Sequence, residues 1–104
     1  MLVMAVIVGD YGKVRPMLIV QPEDLDLFDS IIVCPLTSAM ESAGPLRVTI
    51  EPNDINLLDR SSLVMIDKVG AVHKSRIRSE LGPISREQMD AVSERLALIL
   101  GLTE

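Results

Sequence analysis

The chain has 104 residues, 48% of them apolar, and a formal net charge of −5. Its single cysteine, Cys34, excludes an internal disulfide and a cysteine-rich zinc site, and with only one histidine as well, no metal or other cofactor is expected. The length suits one domain with one hydrophobic core, and the acidic balance speaks against broad nonspecific binding to nucleic acid.

Tyr11 and Phe28 are the only aromatic residues, so the core must be aliphatic. A mean hydropathy of +0.35 is high for so short a chain and points to apolar surface covered by a partner subunit. Residues 2–8 are apolar but too short to span a bilayer, and no basic residue precedes them. They read as a first strand, and the cytoplasm, with no membrane partner, is the expected setting.

Gly9-Asp10-Tyr11-Gly12 is a turn whose glycines permit positive φ. Next comes Lys13-Val14-Arg15-Pro16, then the apolar residues 17–20 and Gln21. Proline has no N–H for a ladder and belongs at the start or edge of a strand, while its ring pushes Arg15 toward extended geometry. Residues 17–21 are therefore the second strand, with Arg15 held at its mouth. Residues 22–29 form an acidic connection, and Ser30-Ile31-Ile32-Val33-Cys34-Pro35 the third strand. Residues 37–44 are small and polar, a loop. Leu46-Arg47-Val48-Thr49-Ile50 alternates apolar and polar, marking a half-buried fourth strand. Pro52-Asn53-Asp54 starts another turn, residues 62–72 read as one long strand, and 76–81 as a short one.

The last element has the clearest signature. Ser85-Arg86-Glu87-Gln88 fits a capping box, Met89, Val92, Leu96 and Leu100 recur on one helical face, and Gly101 stands where a C-terminal glycine cap belongs. The expected fold is mainly β: a twisted antiparallel sheet or small barrel closed by one C-terminal helix.

If strands two and three pair as a hairpin with Gln21 opposite Ser30, Arg15 falls opposite Leu36, one residue from Thr37. A guanidinium beside the Thr37-Ser38 hydroxyls suits a phosphodiester: the arginine can neutralise charge on its oxygens and a hydroxyl can orient one of them. Asp67 interrupts the apolar run Leu63-Val64-Met65-Ile66 and, by strand alternation, shares a face with Leu63, Met65 and Val69. A carboxylate there needs a cation, either in a structural ion pair with Arg15, Lys68 or another base, or as a group that orients the arginine or accepts a proton. From Arg60 to Arg78 five bases face only Asp67, a local positive stretch that suits a short anionic ligand, with Lys13 adding to it. His73 could serve as a general base, yet at a strand end it reads first as a solvated surface histidine. Cys34, inside an aliphatic strand, reads as a small buried hydrophobe.

These residues resemble a known family. Gly12-Lys13-Val14-Arg15-Pro16-Met17-Leu18-Ile19-Val20-Gln21 looks like the "RPALVVQ" strand of the MazF/PemK toxins of bacterial toxin–antitoxin modules. Ile32-Val33-Cys34-Pro35-Leu36-Thr37-Ser38 is similar to their "VVxPLTS" strand end, Val64-Met65-Ile66-Asp67-Lys68-Val69 to their "VLxDQI/K" strand, and Leu81-Gly82-Pro83-Ile84-Ser85 to the approach to their last helix. Order and spacing agree from about Val14 to Leu102. The resemblance implies an SH3-like barrel, a homodimer, and metal-independent, sequence-specific cleavage of single-stranded RNA in which Arg15 and Thr37 are catalytic and Asp67 assists. It further implies RNA contacts from Lys13, Ser38, Lys68, His73, Lys74 and Arg76, and a cognate antitoxin whose acidic, disordered tail occupies the RNA groove. The implied reaction is attack by the substrate's own 2′-hydroxyl, giving a cyclic phosphate and a 5′-hydroxyl. Met65 stands where the PemK branch carries an arginine, which favours a one-arginine site acting electrostatically. Two other readings share the fold: a DNA-gyrase poison of the CcdB type, whose C-terminal tryptophan this chain lacks, and a dimeric binding module that cleaves nothing.

Overall fold

The structure, a computed structural model, describes residues 1–7, 12–42 and 44–102. The predicted turn at residues 9–12 lies outside them except for Gly12, which has φ +75°. Strand β1 (Leu2–Val6) pairs antiparallel with β2 (Val14–Ile19) and, on its other side, with β7 (Ile77–Glu80). Strand β2 pairs with β3 (Ser30–Thr37), and β4 (Val48–Ile50) lies outside β5 (Ser62–Val64). Among the described residues the sheet has seven antiparallel strands and is accompanied by one α-helix, α1 (Arg86–Ile99), and the mainly β architecture with a C-terminal helix is the predicted one.

The long strand predicted for residues 62–72 is broken. Strand β5 pairs with the end of β3 through Leu36 and Thr37, and β6 (Gly70–His73) pairs with its beginning through residues 30–33. Between them the register jumps by three residues, taken up by a 3₁₀ turn at Ile66–Lys68. Met65 N–H donates to the Pro35 carbonyl at 2.9 Å, and the chain then turns so that Ile66 enters the core beneath the helix, fully buried with Val92. Burial of that isoleucine, worth roughly 1.5–3 kcal/mol, outweighs a straight continuation of the ladder. Pro35 sits next to this change of partner, where its missing N–H does least harm.

Two layers of apolar side chains cover the sheet. Leu2, Leu18, Cys34, Leu36, Ile50, Val64 and Ile66 pack with Val92 of the helix, whereas Val3, Ala5, Met17, Ile31 and Val33 cluster separately. The capping box forms as predicted: Ser85 Oγ accepts from Gln88 N–H at 3.1 Å, and Gln88 Oε1 accepts from Ser85 N–H at 2.9 Å. Such a cap contributes about 1 kcal/mol. Gly101 closes the helix at φ +71°. Gly82, ahead of the helix, has no room for a side chain, because a Cβ would lie 1.7 Å from the Ile55 carbonyl oxygen.

Candidate active site

The β2–β3 hairpin decides the site. Its register pairs Met17 with Pro35 and Leu18 with Cys34, one residue away from the expected alignment. Continued by two residues, it sets Arg15 opposite Thr37 itself. The two residues line one cleft of about 280 Å³ with Ser38, Leu36, Val14 and Pro16 on one side and Asp59, Arg60 and Ser62 on the other. Arg15 is exposed at its mouth. Thr37 Oγ1 accepts a hydrogen bond from Ala39 N–H at 3.1 Å, which fixes the oxygen while its own proton remains able to point elsewhere. A phosphate in the cleft could therefore meet a guanidinium and a hydroxyl donor together.

Asp67 is not among the residues lining that cleft. It lies on the 3₁₀ turn, not on a strand face with Leu63, Met65 and Val69, and its carboxylate is taken by Arg47. Arg47 Nε donates to Oδ1 at 3.1 Å and an Arg47 terminal nitrogen donates to Oδ2 at 3.2 Å. The other terminal nitrogen of Arg47 donates to the Ser42 carbonyl at 2.9 Å and to Ser42 Oγ at 2.8 Å. The hydrogen bond from Arg47 holds the Asp67 carboxyl below its ordinary value of 3.8. The structural ion pair is thus the geometry observed, but its cation is Arg47, not Arg15 or Lys68. In the sequence Arg47 occupied a polar position of an alternating strand and read as solvent-facing. The available signal was the need of Asp67 for a base.

The remaining candidates are spread out. Ser38 lines the cleft, and exposed Lys13 immediately precedes β2. Lys68 instead borders an apolar hollow with Met17, Val33 and Val72. His73 pairs with Ser30 at the start of β3, seven residues from Thr37 and so roughly 23 Å away along the strand. Its Nδ1 accepts from Ser75 N–H at 3.1 Å and caps the 3₁₀ turn Lys74–Arg76. Lys74 forms an ion pair with Asp26. The basic stretch therefore does not form one face: within one chain, His73, Lys74 and Arg76 stand at the opposite end of β3 from Thr37. Arg60, absent from the expected site, is the base of that stretch that reaches the cleft. Cys34 is fully buried, and burial pushes its thiol up to about 11, as suits a core residue.

The profile of the "PemK-like, MazF-like toxin of type II toxin-antitoxin system" family matches residues 2–100. The chain belongs to this family. A relative from Mycolicibacterium smegmatis (strain ATCC 700084 / mc(2)155), called a probable endoribonuclease MazF, is 35% identical over 91 residues, spanning 88% of this chain and 84% of that protein. Among solved structures, the Mycobacterium tuberculosis toxin MazF-mt6 superposes with a TM-score of 0.81 at 21% identity, covering 99% of this chain and 98% of the other. A mycobacterial endoribonuclease solved with its cognate antitoxin gives 0.79 at 20% identity, over 99% and 94% of the two chains. At these identities the structural matches speak for the PemK/MazF fold, and the sequence matches for membership.

Proposed function

We infer that this PemK/MazF toxin is an endoribonuclease that cleaves single-stranded RNA at short sequences and is neutralised by a cognate antitoxin. The observation that carries it is the one cleft that Arg15 and Thr37 line together, in a chain of this family. The M. smegmatis relative called an endoribonuclease and the mycobacterial relative solved with an antitoxin support both halves.

In this scheme the substrate's 2′-oxygen bonds to the adjacent phosphorus as the bond from phosphorus to the 5′-oxygen breaks. A 2′,3′-cyclic phosphate and a 5′-hydroxyl result, the 2′-proton being lost and the 5′-oxygen gaining one. Arg15 stabilises charge on the non-bridging oxygens, and the Thr37 hydroxyl donates to one of them. Asp67, held by Arg47 outside the cleft, serves the loop that follows Thr37 rather than the reacting atoms. The toxin acts as a cytoplasmic homodimer, which would cover apolar surface such as Leu98, Leu100 and Leu102 at the end of the helix, all more than half exposed in one chain. The antitoxin's tail, acidic and disordered when free, competes with RNA for the groove.

Purified protein incubated with mixed RNA tests the reaction. Mapped cleavage ends should carry 5′-hydroxyls and 2′,3′-cyclic phosphates and should persist in EDTA. Intact RNA, or activity lost to chelator and restored by a divalent ion, would refute it.

A further inference from the structure

Asp59 and Arg60 sit at the tip of a wall whose surroundings are unusually well held. Asn56 is fully buried, with its amide donating to the Glu51 carbonyl at 2.8 Å and its side-chain oxygen accepting from Asn53 N–H at 3.2 Å and Leu58 N–H at 3.0 Å. Gly82 presses on the same segment, donating its N–H to the Asn56 carbonyl at 3.1 Å. Leu57 takes φ +63°, a conformation that only such constraint sustains. On the far side, Ser62 is buried and its Oγ donates to the Arg60 carbonyl at 3.0 Å. Leu58 and Ser62 thus anchor the backbone on both sides, while the side chains of Asp59 and Arg60 are 83% and 69% exposed and line the cleft of Arg15 and Thr37.

A rigid backbone that delivers a solvated cation to a catalytic cleft is the arrangement expected of a substrate contact. The internal partner of Arg60 is weak: its Nε lies 3.8 Å from Asp59 Oδ1, at the limit of an ion pair and highly exposed. Arg47 does not line this cleft, and its guanidinium is engaged by Asp67 and Ser42.

We propose that Arg60 forms a second phosphate subsite, binding the RNA phosphate next to the scissile one, and that Asp59 opposes it. This rests on RNA being the substrate. Arg60 positions the strand so that the scissile phosphate reaches Arg15. Asp59 competes for the same guanidinium and repels the phosphate, so it limits affinity and favours release.

The test measures cleavage and, separately, affinity for a 2′-O-methyl oligoribonucleotide, which cannot attack its own phosphate. For Arg60→Ala, KM and Kd should rise by about tenfold with kcat within about threefold, and the slope of log Kd against log salt should fall by about 0.7, one phosphate contact on a single strand. Arg60→Lys should recover part of that affinity, since the point charge survives but the planar fork does not. Asp59→Asn should lower Kd by about two- to fivefold, and it provides a readout should Arg60→Ala fold poorly. Unchanged Kd and salt slope in Arg60→Ala, or an Arg60→Lys no better than alanine, overturns the subsite, as does an Asp59→Asn that binds no tighter. If the wild-type protein binds the oligonucleotide without cleaving RNA, the nuclease reading falls, and a tenfold loss of binding in Arg60→Ala would still uphold the subsite.

Discussion

Two arginines border two different hollows of the fold, Arg15 the cleft of Thr37 and Arg47 the one lined by Ser42 and Asp67. The Arg47 side chain is 14% exposed, and its guanidinium is committed edge by edge to Asp67 and Ser42. Arg15 stands exposed in front of Pro16 and faces a cleft. The first ties Ser42 to the 3₁₀ corner, and the second lines the cleft beside Thr37. An arginine's identity says little about its role until its place in the fold is known.

The sharpest way to break this contrast is Arg15→Ala, which should reduce RNA cleavage by about 10²- to 10³-fold while leaving the melting temperature nearly unchanged. Fluorogenic RNA and a thermal melt measure both; full activity would end the assignment. Arg47→Ala should do the reverse. It strands Asp67 and loosens the loop, costing about 2 kcal/mol in a urea titration, with activity falling less than about tenfold. Thr37→Val should lower kcat by about tenfold and change RNA affinity little, because its hydroxyl is assigned to the reacting phosphate. Equal losses in kcat and affinity would count against that role.

The smallest expected effect belongs to Asp67→Asn, under about 1 kcal/mol at neutral pH, since the Asp67 side chain is 44% exposed and its charge is screened by solvent. Its sign with pH is fixed. The folded carboxyl titrates below its ordinary 3.8, so the charged pair stabilises the fold above that pH and loses its contribution as pH falls through and below it. The stability gap between wild type and Asp67→Asn should therefore narrow as pH falls through 3.8 and keep narrowing below it, and a gap that widens in acid would be inconsistent with the Arg47 pair.

Local chemistry made much of this molecule legible. The capping box at Ser85, the glycine cap at Gly101 and the proline that starts β2 each follow from the residue and its immediate neighbours, and each is present in the fold. The hairpin argument found Thr37 as the neighbour of Arg15 to within one residue, because an acidic connection of known length nearly dictates the register. The failures share one cause. Asp67 read as a strand residue because the apolar run around it is unbroken, and nothing local announces that Ile66 must turn into the core beneath a helix some twenty residues later. The partner of Asp67 is twenty positions earlier, and the anchors of Arg60 include Gly82.

Residue type and spacing along the chain thus set most of the strands, the closing helix, the family and the nearness of Arg15 to Thr37. Tertiary packing alone chose which of several basic residues reach the cleft, which one is consumed by Asp67, and which are carried to the far end of β3. The physical reason is one of range. Caps, turns and proline act within a few residues, whereas the partner of a buried or half-buried charge is selected by the whole sheet when it closes.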